Sequence, residues 1–156
     1  MAQKDPLKFW TDGTPMVPAA PLVNCPIATS LGVLGKKWAL LVIRDIAMRR
    51  TERFSELMGT IPGITQRVLS RRLKELSAAG IIEKVEDEGS PRRIRWQLTE
   101  KGWDALPILM SYVSFGSKWF PGTVFADHRA RKVSEVYPQS NLRRFEVDLN
   151  LKEGRN

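Results

Sequence analysis

The chain has 156 residues, with 25 Lys and Arg against 17 Asp and Glu, a formal charge of +8 and an isoelectric point near 10.0. That length suits one domain with a real core rather than two, and the basic balance favours an anionic partner, nucleic acid before an acidic membrane surface. No apolar run approaches the ~18 residues of a membrane span, the first residues lack a secretion signal's apolar core, and a single cysteine, Cys25, excludes an intrachain disulfide, so a cytoplasmic protein without a membrane partner is expected.

Residues 1–23 read as an extended arm rich in proline, with Phe9, Trp10, Met16 and Val17 as anchors against a body or a partner chain. Cys25-Pro26 opens a first helix, Pro at its first position and Cys25 as N-cap. Ile27, Leu31 and Leu34 form its apolar stripe and Gly35 closes it. Lys36-Lys37 lead into a second helix from Trp38 to about Met48, largely buried because of its Leu40-Leu41-Val42-Ile43-Ile46 content. After a turn at Arg49-Arg50-Thr51, residues 51–58 make a short third helix with Phe54, Leu57 and Met58 inward, broken at Gly59.

Pro62-Gly63 then signals a tight turn, Thr65 is a plausible N-cap and Gly80 supplies the left-handed residue that ends a helix. Between them Val68, Leu69, Leu73 and Leu76 recur at helical spacing as an apolar back. Arg67, Ser70, Arg71 and Lys74 recur on the opposite face, with Gln66 at its N-terminal end. Taken alone, this is an ordinary amphipathic helix with a solvated face. In sequence after a short helix and a turn it is a helix-turn-helix, and its front suits insertion into a DNA major groove.

Residues 81–86 alternate as a strand, residues 87–91 form a turn cluster, and residues 92–98 alternate again, Ile94, Trp96 and Leu98 against Arg93, Arg95 and Gln97. A hairpin carrying Arg92, Arg93 and Arg95 directly after a reading helix is a wing, able to lie along a backbone or reach a minor groove. The expected fold is mainly α with a small β-hairpin: a winged helix-turn-helix domain with an added terminal dimerisation helix. Thr99 caps that last helix, residues 100–120, which Pro107 should kink or restart. Its apolar residues, from Trp103 and Leu106 to Trp119 and Phe120, spread over two sides, which calls for a second surface, a second copy of the chain. Twenty residues of helix would span ~30 Å. Residues 121–156 form a C-terminal extension whose alternation at Phe145, Val147, Leu149 and Leu151 suggests a late strand or arm.

Cys25-Pro26, Gly35-Lys36-Lys37-Trp38, Arg53-Phe54-Ser55-Glu56-Leu57, Ile61-Pro62-Gly63-Ile64, Leu73-Lys74-Glu75-Leu76, Gly80-Ile81-Ile82 and Leu98-Thr99-Glu100-Lys101-Gly102, with Pro107, follow one another at a spacing that resembles the HxlR-type family of winged-helix transcription regulators. The resemblance covers residues 24–119 and implies a DNA-binding regulator. It also implies a homodimer joined through first and last helices on a dyad-symmetric operator of double-stranded DNA, with Thr65, Gln66, Arg67, Ser70 and Arg71 at major-groove positions. The wing is richer in arginine than the family's usual wing, Trp96 stands where Tyr is common, and Phe115-Gly116 where Trp-Gly is usual. Some family members resemble redox or electrophile sensors, which makes Cys25 a candidate sensor for an oxidant or small-molecule effector. The competing expectation is a buried N-cap cysteine that never reacts.

Arg67 and Arg71 are the candidates for guanine, Gln66 for adenine, and Ser70 and Lys74 for nearby base or phosphate groups. Arg92, Arg93 and Arg95 are assigned to backbone or minor groove, and Lys36, Lys37 and Arg53 to further phosphates. His128 is the only histidine, and no P-loop or dinucleotide fingerprint occurs, so no enzyme, cofactor or metal site is expected. The alternative function is a winged-helix interaction module that binds protein without reading DNA sequence.

Overall fold

The computed structural model describes residues 14–89 and 93–138. Residues 14–23 form no helix or strand and are exposed, while Phe9 and Trp10 lie outside the described residues. Helix α1, Pro26–Leu34, starts as expected with Cys25 extended before Pro26 and ends at Gly35, whose N–H donates to the Leu31 carbonyl at 3.0 Å. None of its residues is buried.

Helix α2, Ala39–Arg44, follows Trp38 in a left-handed conformation (φ 78°) and continues as a wider π-helical turn, Asp45–Arg49. Ala39, Val42, Ile43, Ile46 and Ala47 are buried at the centre of the core. The wide turn brings Asp45 inward with them. Oδ1 of its fully buried carboxylate faces Arg44 Nε at 2.6 Å and Arg49 Nε at 3.6 Å, while Oδ2 has no hydrogen-bond partner among the described residues, so the two cations offset part of the cost of burying the charge. Arg50, again left-handed (φ 56°), ends the segment.

Helix α3, Phe54–Thr60, begins later than its periodicity suggested because Glu56 turns back to accept from the backbone N–H groups of Glu52 and Arg53 at 3.1 and 3.0 Å, holding residues 52–53 outside the helix as a cap. Gly59 does not break it. One glycine costs a helix only ~1 kcal/mol relative to alanine, and the Thr60 hydroxyl bonds back to the Glu56 carbonyl at 3.1 Å. Helix α4, Gln66–Ala78, has the expected ends: the Thr65 hydroxyl accepts from Val68 N–H at 3.3 Å, and Gly80 is left-handed at φ 70°.

Strands β1, Ile82–Glu86, and β2, Ile94–Leu98, pair antiparallel from Ile82 opposite Leu98 to Glu86 opposite Ile94. Burial along β2 falls from Leu98 through half-buried Trp96 to exposed Ile94, so the hairpin is rooted in the body and its tip leaves it. Arg92 lies outside the described residues.

The terminal helix expected over residues 100–120 is two, with the restart at Pro107 being one of the two outcomes expected there. Thr99 caps α5, Glu100–Trp103, by accepting from Gly102 N–H at 3.2 Å. The helix gives way to a turn at residues 104–105, and α6, Leu106–Trp119, starts anew with Pro107 in its first turn, where the missing N–H costs nothing. At 14 residues α6 is ~21 Å long, shorter than anticipated. It packs on α2 and on a short helix α8, Val133–Val136, which follows the single turn α7, Pro121–Val124. The strand expected around residues 145–151 lies outside the described residues.

Gly102 has no room for a side chain: a Cβ there would lie 2.1 Å from the Ile81 carbonyl oxygen. Backbone sits on both sides of that contact, so it cannot yield by rotamer change. Gly102→Ala should therefore destabilise the fold by about 1–3 kcal/mol, read as a lower urea midpoint at unchanged slope, and a midpoint equal to wild type would refute the contact.

Candidate nucleic-acid interface

The position of α4 is set before its front matters. Ile61 and Ile64 are buried on either side of Pro62-Gly63, and Gly63 takes φ 80° beside the Trp38 ring, 3.6 Å from where a Cβ would stand. Leu69, Leu73 and Leu76 then seat the helix in the core with Ile43, Leu57 and Ile82. With the back buried, the 3.6-residue period leaves Thr65, Gln66, Arg67, Ser70, Arg71 and Lys74 all exposed on the other side. The structure thus brings together the six side chains singled out on this helix.

Their charges are uncompensated: among the described residues no carboxylate pairs with Arg67, Arg71 or Lys74. Arg93 at the start of the wing's return strand is also exposed without an acidic partner among them, and Lys37 rests over the Trp38 ring at 4.8 Å, which leaves its charge intact.

The other expected cations differ. Lys36 Nζ lies 3.6 Å from Glu75. Arg53 Nη2 lies 3.6 Å from Asp87. Arg95 donates to Glu52 at 2.8 Å and to Asp87. Those two bonded carboxylates, Glu52 first, hold Arg95 above its ordinary value, so it stays a cation at any working pH. Arg95 is turned toward the body rather than held out as a free charge. Sequence alternation put Arg93 and Arg95 on one face and so could not separate them, because the difference comes from Glu52, 43 residues away.

Two buried charges escaped sequence analysis. Asp45 is one. Arg72 is the other: it lies under α4, 6% exposed, bonded to Glu75, which also faces Lys36. Position 72 stands one turn after Val68 and one turn before Leu76, so the spacing itself puts it on the apolar back; the charge of arginine, not the period, kept it out of the expected core.

Away from this face, α1 and α6 form an apolar cavity of about 320 Å³ lined by Ile27, Leu31, Leu34, Leu40, Ile108 and Tyr112. Ile27 is 71% exposed, Leu31 53%, Tyr112 61% and Phe115 58%. Cys25 is exposed at the head of α1, so in a single chain it is not the buried N-cap considered above. No cluster of three metal-ligating side chains occurs among the described residues, and no single helix there is long and apolar enough to cross a membrane.

Residues 33–123 match the family model described as HxlR-like helix-turn-helix. YvaP of Bacillus subtilis, an HTH-type transcriptional regulator, is 33% identical over 96 residues, 61% of this chain and 88% of its own. Among solved structures, the reduced form of the transcriptional regulator YodB from B. subtilis superposes with a TM-score of 0.54 at 32% identity, over 62% of this chain and 95% of YodB. The redox regulator HypR in its oxidized form gives 0.53 at 33%, over 59% and 94%. The helix-turn-helix, the wing and the match across most of the folded body agree, and the chain belongs to the HxlR-like helix-turn-helix family of transcriptional regulators.

Proposed function

We propose that the protein is a sequence-specific DNA-binding regulator that acts as a homodimer on a dyad-symmetric operator. The observation that carries this reading is the front of α4, where Gln66, Arg67, Ser70, Arg71 and Lys74 stand exposed and free of acidic partners among the described residues, on a helix fixed from behind by Leu69, Leu73 and Leu76. Arginine can bond both acceptors of guanine and glutamine both edge groups of adenine. Arg67 and Arg71 are assigned to guanine, Gln66 to adenine, and Ser70 and Lys74 to adjacent base or phosphate groups. Thr65 caps the helix at the groove floor. Arg93, with Arg92, is assigned to backbone or minor groove, and Lys37 to phosphate.

The purified protein is expected to prefer its operator, sought first in its own upstream DNA, by ~10³-fold or more over random duplex, with log K falling linearly against log salt. Weak, equal binding to both DNAs would instead favour an interaction module for a protein partner. Arg71→Ala should cost about 1–3 kcal/mol on the operator and relax preference at one position, whereas Arg93→Ala should weaken all sequences alike and lower the salt slope by about one. Equal losses on operator and random DNA for Arg71→Ala would make it a phosphate contact.

The dimer is supported by the uncovered apolar surface of α1 and α6, since a patch of that kind on a soluble chain marks an association surface. Leu31→Asp, at a side chain the single chain leaves exposed, should give a folded monomer in sedimentation with operator affinity lowered by more than tenfold, because a dimer reads two half-sites about one helical turn apart. A dimer that survives this change would assign association to another surface.

Cys25 lies at the head of α1, beside that surface, which supports an oxidant or electrophile as effector. A thiol adduct there would sit at the seam between protomers. Complete alkylation of the dimer should lower operator affinity and leave Cys25→Ser untouched. Full modification with unchanged affinity would remove the sensor role.

A further inference from the structure

The wing is tied to the body by a group of four charges that DNA contact does not explain. Glu52 and Arg53 precede α3, Asp87 follows β1, and Arg95 lies on β2. Arg95 bridges Glu52 and Asp87, and Arg53 Nη2 reaches the second oxygen of Asp87 at 3.6 Å. Trp96, paired with Lys84 across the hairpin, donates its N–H to the Glu52 carbonyl at 2.8 Å, so residue 52 lies along the outer edge of β2, and Asp87 N–H donates to the Arg93 carbonyl at 2.8 Å and adds one rung beyond Glu86 and Ile94. Two carboxylates and two guanidiniums sum to zero charge. Each side chain is half-buried, between 24% and 39% exposed.

We infer that Glu52, Asp87 and Arg95 are positioning residues that clamp the wing against the start of α3 and so set where Arg93 meets DNA. The hairpin has only two strands, and an isolated pair of strands is marginal in water. Its tip beyond Glu86 therefore takes its direction from what holds its base. Arg95 acts on DNA through the wing's placement and not by its own charge, and Glu52, an acid, favours binding to a polyanion. This rests on the DNA-binding reading above.

The sign of one substitution separates the clamp from simple electrostatics. Glu52→Gln removes a negative charge and by charge alone should tighten DNA binding. The clamp predicts the opposite, operator affinity lower by about fivefold or more, of the order of one lost wing contact. Arg95→Gln should lose a similar factor. The double variant should lose no more than the worse single one, because both remove the same bridge. Independently of DNA, hydrogen exchange across residues 84–98 of the free dimer should quicken in both single variants, while the melting of the body stays at the wild-type temperature. Glu52→Gln that binds as tightly as wild type or tighter, losses that simply add, or wing exchange that does not change would each overturn the inference. A wild-type protein with no operator preference would overturn the functional reading and the binding half of this one, and wing exchange would still decide the clamp.

Discussion

The carbonyl oxygen of Ile81 lies where three working parts of the molecule meet. It accepts from the backbone N–H of Thr99 at 3.1 Å, where the wing returns to the body, and it leaves no space above it for anything but Gly102. On its other side the Ile81 N–H donates to the Leu76 carbonyl at 2.9 Å, and the Thr99 hydroxyl reaches the Gly80 carbonyl at 2.6 Å. Lys101 adds a bond to the Ala79 carbonyl at 2.7 Å. The end of α4, the root of the hairpin and the start of α5 thus share a few backbone groups. A shift in any one must move the others, since a buried carbonyl left unbonded costs more than a made bond contributes. Helix α4, the wing and the terminal helices keep their mutual geometry through this joint.

Electrostatics then divides the cations into two populations. Arg44 and Arg49 sit on a buried acid, and Lys36, Arg53, Arg72 and Arg95 face carboxylates across α4 and the wing base. The more exposed of these pairs, Lys36–Glu75 and Arg53–Asp87, contribute little to stability, about 0–1 kcal/mol each. The larger effect of all these pairs is on the local field: on α4 and the described part of the wing they leave Arg67, Arg71, Lys74 and Arg93 as the cations without an acidic partner. Focused charge of one sign raises the local concentration of a polyanion, which a formal charge of +8 spread evenly would do far less well.

Much of this was legible because it is local. Thr65, Gly80 and Pro107 mark helix ends through their own backbone chemistry, and the apolar back of α4 follows from spacing alone. Gly59 misled because a glycine weakens a helix without ending it. Beyond that, partners distant in sequence decide. Arg93, just before β2, and Arg95 within it alternate identically, and Glu52 in the loop before α3 together with Asp87 after β1 tells them apart. Asp45 looks like any surface acid until a wide helical turn carries it inward. Pro107 announced a kink or restart after Thr99, but nothing announced that Gly102 was required by the Ile81 carbonyl, because a close approach between backbones leaves no mark in periodicity.

The two sides of α4 answer to different demands. Leu69, Leu73 and Leu76 hold the core, so substitution there is paid in folding. Nothing in the described body bonds to the exposed side chains of Gln66, Arg67 or Arg71, and surface changes of this kind usually stay within about 0.5 kcal/mol of neutral. The same scaffold can therefore acquire a new binding preference by drift at a handful of positions while its stability hardly changes. A duplicated copy of such a chain is free to diverge toward a different target from its first mutation, without passing through an unfolded intermediate sequence.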